Sequence, residues 1–285
     1  MNKTPDGCLV EEIKPLPRAV LGIDVGEDFL DLAVLSGSRL RRARIVLSDL
    51  DAAPIARLRG RLREACPDLG PGWLVAVDSP RLPRDLSLAQ PWPARRAQLP
   101  PSRLLDQTLR KLVRRLNPPL RLSLYPTPVL HDFAHQMSVC DKPHLRAAFA
   151  ALFPGVPTVA GSSGLALFTR FMLAGFLTFA AVQTAGACAL EAYPHLQWQL
   201  WSPLALAPKR NSGKALRERA SVLHDLRRWL RVQADLEPAT LDQADAEILA
   251  ASTFLSLRQG WLGCLRQRDE GSFLLAIPGQ PGLNG

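Results

Sequence analysis

The chain lacks a CxxC pair and an even set of cysteines. Cys8, Cys66, Cys140, Cys188 and Cys264 are five and widely scattered. That spacing fits neither a disulfide framework nor a zinc ribbon, and a reducing, cytoplasmic setting is the expectation. Met1 to Pro17 contains Asp6, Glu11 and Glu12 and no apolar run, so it does not read as a signal peptide; residues 1–17 are expected to form a frayed leader. A long uncharged apolar stretch is also missing. The nearest, GLALFTRFMLAGFLTFAAV from Gly164 to Val182, carries Arg170, which favours a buried helix over a membrane span, with Gly161, Ser162 and Ser163 supplying a turn and an N-cap. There is no GxxxxGK[ST] loop and no HExxH pair; His131 and His135 stand four residues apart near Cys140 without that zinc pattern. Internal repeats, low-complexity tracts and a clear interdomain linker are absent.

What is present is enough apolar material, 47% of 285 residues, to bury one large core. One domain over residues 18–285 is expected, with an insertion at about 83–160. A formal charge of +9, from 35 basic against 26 acidic residues, favours a polyanionic partner. Arg far outnumbers Lys, which suits bidentate phosphate contacts, although GC-rich codon usage produces the same excess.

AVLGIDVGEDFLDLAVLSG, Ala19 to Gly37, reads as a strand, a turn at Gly26 to Asp28, and a second strand alternating through Leu30, Leu32 and Val34. RLRRARIVLSD gives a third strand, and Ser48 or Asp49 then caps a helix through Ile55, Leu58, Leu62 and Ala65. WLVAVD, Trp73 to Asp78, is a short apolar run of the buried-sheet kind, stopped by Ser79 and Pro80. Arg81 to Pro101 is Pro- and Arg-rich and reads as a flap. Ser102 starts a basic helix with Arg103, Arg110, Lys111, Arg114 and Arg115, ending before Asn117, Pro118 and Pro119. That helix is either a solvated amphipathic element or a neighbour of a phosphate backbone. Leu120 to Val159 is poorly periodic. ACALEA, Ala187 to Ala192, reads as a buried strand, KRNSGK (Lys209 to Lys214) as a basic loop, and helices follow through Leu216 to Leu230 and from Thr240. A last strand is expected at Phe273 to Ile277, closed by Pro278.

The expected chemistry rests on acids at strand ends. A buried carboxylate loses hydration and needs a partner. Asp24 lies within Ile23-Asp24-Val25, Asp78 closes VAVD and Glu191 closes CALE, and strand ends of an α/β sheet converge in space. Asp242 and Asp245, three apart, share a helix face. Each acid alone also has a structural reading: Asp24 capping the turn, Asp78 holding the next loop, Glu191 pairing with an arginine, Asp242 capping its helix. Together, they would repel each other without Mg²⁺ or Mn²⁺, hard ions that prefer oxygen.

In that order, GIDVGEDFLDLAVL, VAVDSPR, EAYPHLQW, LDQADAEILAAS and EGSFLLAIPG resemble the predicted ribonuclease H-like nucleases catalogued as domain of unknown function 429. The first motif also resembles the opening strands of resolvases and DEDD-type transposases. The resemblance implies an α/β, ribonuclease H-like mixed sheet, antiparallel in its opening strands and then parallel, flanked by helices, with Asp24, Asp78, Glu191 and Asp245 at the acidic positions. It implies a metal-dependent nuclease or phosphodiester hydrolase acting on nucleic acid. In a two-metal site the ions lie roughly 4 Å apart and share one carboxylate. Asp24 is the bridging candidate, Asp78, Glu191 and Asp245 complete the shells, and Asp242 is a substitute. Lys209, Arg210, Lys214 and Arg81 are the phosphate candidates, although a Gly-Ser surface loop is the simpler reading of KRNSGK. Trp92, Trp198, Trp201, Trp229 and Trp261 are base-stacking or core residues. Two alternatives stand beside this: a non-catalytic nucleic-acid-binding or scaffold protein of the same fold, and a phosphotransferase, since GIDVG resembles the first phosphate loop of sugar kinases and actin-like ATPases. No second DxG loop accompanies it.

Overall fold

A computed structural model describes residues 2–3, 9–12, 17–50, 52–82, 104–114, 130–158, 166–202, 206–259, 262–267 and 271–276. Most of the expected flap, the Ser102 cap, Arg103, Arg115, the Gly161–Ser163 turn, Trp92, Trp261, Ile277 and Pro278 lie outside the described residues, as do the side chains of His131 and His135.

The opening of the sheet follows from the apolar runs. β3 (Ala19–Val25) is buried at every position, pairs antiparallel with β4 (Phe29–Ser36), and β4 pairs antiparallel with β5 (Arg39–Val46). Helix α1 (Pro54–Ala65) then returns the chain to β6 (Trp73–Asp78), parallel to β3, and β7 (Cys188–Glu191) lies parallel to β6. The strand order β5-β4-β3-β6-β7, three antiparallel strands followed by parallel ones, is the ribonuclease H-like arrangement. The start of α1 departs from expectation: its N-cap is Ala53, not Ser48 or Asp49, because Pro54 sets the first helical turn.

The sheet is also wider than its central five strands. β8 (Gln233–Ala234) joins β5 at one side, and beyond β7 come β10 (Gly271–Ala276), β9 (Leu262–Gln267), β2 (Leu9–Glu12) and β1 (Asn2–Lys3). The frayed-leader expectation is therefore corrected at residues 9–12, whose backbone pairs antiparallel with β9. An exposed edge on β9 would leave a row of unpaired N–H and C=O groups, and this strand covers it.

Helices cover both faces. α2 (Leu104–Arg114) packs on β9 and β10 through Leu105, Leu109 and Val113, while Lys111 and Arg114 are exposed. The poorly periodic stretch holds two helices, α3 (Leu130–Ser138) and α4 (Pro143–Leu152), which pack with α1 on α5 (Ala166–Thr184). Phe133, Phe149, Phe153 and Phe176 join in one aromatic cluster there, with the Phe133 and Phe176 rings 5.4 Å apart. Part of the expected insertion is thus core. Short helices hide their period, and these two are stabilised by burial. Among the described residues, no helix is long and apolar enough to cross a membrane. α5 is buried along 172–179, and its half-buried Arg170 lies 3.7 Å from Asp141.

The other face carries α6 (Pro194–Trp201), α7 (Ser212–Leu230) and α8 (Leu241–Arg258). Two glycines set how closely helices approach the strand ends. A Cβ at Gly22 in β3 would overlap the carbonyl of Ala246 and lie 2.8 Å from the Ala250 nitrogen, so the α8 backbone rests directly on β3. A Cβ at Gly175 in α5 would overlap the Ser79 side chain, which follows Asp78. Both acid-bearing strands are therefore pinned by helix backbone.

Candidate functional site

Strand register assembles the site. Asp24 in β3 stands opposite Asp78 in β6 and Asp31 in β4, and Asp31 stands opposite Arg44 in β5. Directly opposed residues project from the same face. One row across four strands therefore reads Arg44, Asp31, Asp24, Asp78. By alternation from Val20 and Gly22, that face is the one on which α8 lies.

Within the row, Asp31 is fully buried and neutralised: Arg44 donates from Nε to Oδ1 at 3.0 Å and from its terminal nitrogen to Oδ2 at 2.6 Å. The same guanidinium sits 4.1 Å over the Phe29 ring. Asp24 has no such relief. Burial pushes its carboxyl well above the ordinary 3.8, and Asp78, Asp245 and Asp242 push it further, against Lys209. Asp242 is raised as well, first by burial and also by Asp245 and Asp31, while Lys209 and Arg44 pull it down.

α8 supplies the two upper acids. Thr240 is its N-cap, accepting from the Gln243 backbone N–H at 3.1 Å, so Asp242 is not the cap and sits in the first turn. Asp245, one turn later and nearly fully buried, is held on both oxygens. Trp198 Nε1–H donates to Oδ1 at 2.6 Å, and Lys209 Nζ lies 2.5 Å from Oδ2. Burial works against the Lys209 ammonium, but Asp245, Asp24 and Asp78 more than offset it and hold it charged. Trp198 is thus a buried clamp on a carboxylate, and Arg219 stands 5.4 Å from its ring. His195, on the same helix, loses part of its hydration and feels Arg219 and Lys209, which lower its imidazole below 6.5 against the pull of Asp245.

Glu191 does not join this group. Its register partner is Val77, not Asp78, and alternation turns it to the opposite face of the sheet. There it is fully buried and its Oε1 accepts from the backbone N–H of Arg81 at 2.8 Å. A one-residue offset in register decides this, and no spacing in the sequence reveals it. Of the phosphate candidates, Arg81 is half-buried and Arg210 exposed, and Lys214 lies 3.7 Å from Glu218.

Asp31, Trp198 as a carboxylate donor, and His195 were not legible as site residues. For Asp31 the signal was present: an acid between Leu30 and Leu32 in an apolar strand. The acids are gathered by charge more than by contact. Among the described residues, no three His, Cys, Asp or Glu side chains stand close enough to hold a metal ion between them. Lys209 and, at Asp242, Arg44 pull against the mutual repulsion of Asp24, Asp78, Asp242 and Asp245, and carboxylate oxygens are the donors that Mg²⁺ and Mn²⁺ prefer.

No family model and no curated protein matches this chain, so the family expected from the motifs has no support of that kind. Solved structures that align with it include T. thermophilus RuvC in complex with a Holliday junction substrate, and Thermus thermophilus RuvC. Each shares 14% identity and covers 85% of this chain and 96% of its own, with TM-scores of 0.40 and 0.38. The fold assignment rests on strand order and register, and these alignments add nothing to it about activity.

Proposed function

We propose that this chain is a metal-dependent phosphodiester hydrolase acting on nucleic acid, with Asp24, Asp78, Asp245 and Asp242 as the cation ligands. The observation that carries the reading is geometric: strand register sets buried Asp24 beside Asp78 on the face where α8, resting on β3, carries Asp242 and Asp245. Nothing in fold stability calls for such a cluster, because like charges at close range cost free energy. When bound, a divalent cation there would neutralise the acids, activate water and stabilise a leaving oxygen.

The chain's own residues divide the remaining work. Trp198 fixes the rotation of the Asp245 carboxylate, and the α8 backbone, resting on Gly22, fixes its distance from β3. Lys209 offsets part of the cluster's charge, and Arg210 and Lys214, exposed one and five positions further along the chain, would draw a phosphate in. Glu191 acts at one remove by holding the Arg81 backbone.

The test is incubation of single- and double-stranded DNA and RNA with Mn²⁺, beside Asp24→Asn and Asp245→Asn. Cleavage by the unaltered chain, lost in both variants, is the expected result. Persistence in both variants would assign the cleavage to a contaminant. The Lys209 contact with Asp245 also favours a second reading, a nucleic-acid-binding module in which the ammonium has replaced the metal. That reading expects binding in EDTA, no turnover, and no melting shift with Mn²⁺.

A further inference from the structure

Helix α7 carries its exposed cations at alternating spacings of three and four. Lys214, Arg217 and Arg228 on the helix and Arg231 at its C-cap face solvent, with exposed Ser221 and His224 completing the row, while Ala215, Leu223, Leu226 and Leu230 are buried on the other side. At 1.5 Å per residue the row from Lys214 to Arg231 is about 26 Å long. Among the described residues, Lys214 is met by Glu218 at 3.7 Å, and Arg217, Arg228 and Arg231 form no ion pair. Beside the far end stands Trp229, 58% exposed, with its ring edge-on to Trp201 at 6.3 Å. Trp229, Arg228 and Arg231 line one surface hollow with Asp225. At the near end, Lys209, five residues before Lys214, is bound to Asp245.

We infer that this face of α7 is a docking track for a single nucleic-acid strand, its phosphates on the cations and an unpaired base against Trp229. The inference rests on the nucleic-acid reading of the acidic site and names the path by which a strand reaches it. Exposed cations in a straight row match a polyanion of regular charge spacing. The tryptophan selects the kind of polyanion. An exposed ring, steadied by a second ring, is a stacking platform for a base, and bases inside a duplex do not present their faces. An acidic protein would satisfy the arginines and leave Trp229 unused.

The test is fluorescence anisotropy of the full chain in EDTA, with a labelled strand of about twelve nucleotides and its duplex, at salt from about 50 to 200 mM. Each phosphate contact on a single strand contributes about −0.7 to the slope of log affinity against log salt. Four cations give a slope of about −2.8, and Arg217→Ala/Arg228→Ala brings it to about −1.4. Trp229→Ala weakens binding roughly tenfold with the slope unchanged. The charge-matched control, Arg61→Ala/Arg63→Ala on exposed α1 positions across the sheet, leaves the slope as it was. Equal losses in both double variants would reduce the effect to bulk charge and overturn the track, as would duplex binding as tight as the single strand, or unaltered binding by Trp229→Ala. If the unaltered chain cleaves in Mn²⁺ while the α7 variants bind normally, the track fails and the hydrolase reading stands. If the α7 variants lose binding as described and nothing is cleaved, the track stands and the hydrolase reading fails.

Discussion

At Asp24 the folded chain holds a carboxyl that has lost its hydration and faces three like charges. Its folded value lies above the ordinary 3.8, so the folded state binds this proton more tightly than the unfolded one. The sign follows: stability falls as pH rises from 3.8 through the raised folded value, and the cost is fully present above it. Asp24→Asn is therefore expected to raise the melting temperature in EDTA at neutral pH by on the order of 2–4 °C, with the difference from the unaltered chain vanishing toward acid. Calorimetry across pH reads this directly, and a lower melting temperature for the variant at neutral pH would contradict it. Lys209 is the complementary group. Lys209→Met strips Asp245 of its ion pair, and because the lysine is 56% exposed the cost is set below that of a buried pair, at roughly 1–3 kcal/mol. The same variant should bind Mn²⁺ about tenfold more tightly by titration calorimetry, since the ammonium no longer competes. Unchanged Mn²⁺ affinity would show that lysine and metal do not share a place.

Helix and strand meet at two glycines, and there the element scale is set. Gly22→Ala places a methyl into the α8 backbone at Ala246 and Ala250, so α8 must lift from β3 and carry Asp242 and Asp245 with it. Overpacking of this kind against backbone is expected to cost about 3 kcal/mol or more. Gly60→Ala, at an exposed position of α1 with nothing within 4 Å of the added carbon, should instead stabilise by up to about 1 kcal/mol. Urea unfolding of the pair separates packing from propensity, and comparable midpoints would refute the close approach. α8 itself shows why elements resist reading from pattern. Its apolar and small residues run round the whole helix because it is buried on nearly all sides from Ala244 to Ser256.

Across the whole molecule, one buried carboxylate ties three elements. Glu247 in α8 accepts from Arg227 Nε of α7 at 2.6 Å and from Arg42 Nε of β5 at 2.8 Å, while Arg227 reaches Glu237 with both terminal nitrogens at 2.7 and 2.8 Å. Glu247→Ala leaves the largely buried Arg42 without its carboxylate and Arg227 with Glu237 alone, and is expected to cost about 3–5 kcal/mol. Glu237, 58% exposed, should cost under about 1 kcal/mol when replaced by alanine. Equal costs in denaturant titration would disprove the distinction.

The central strands were legible because burial on both faces demands continuous apolar runs, as in AVLGIDV and WLVAVD, and their boundaries follow from Gly, Ser and Pro. The acids at their ends were legible for the opposite reason, as charges where the pattern calls for none. Partnership was not legible. Asp31 joins the row and Glu191 leaves it through register alone, and Trp198 and Lys209 become the two clamps on Asp245 through contacts spanning 47 and 36 positions. A chain encodes which residues must be buried through local periodicity; which buried charges face one another depends on strand offset and helix approach, and these arise only when the sheet and helices pack.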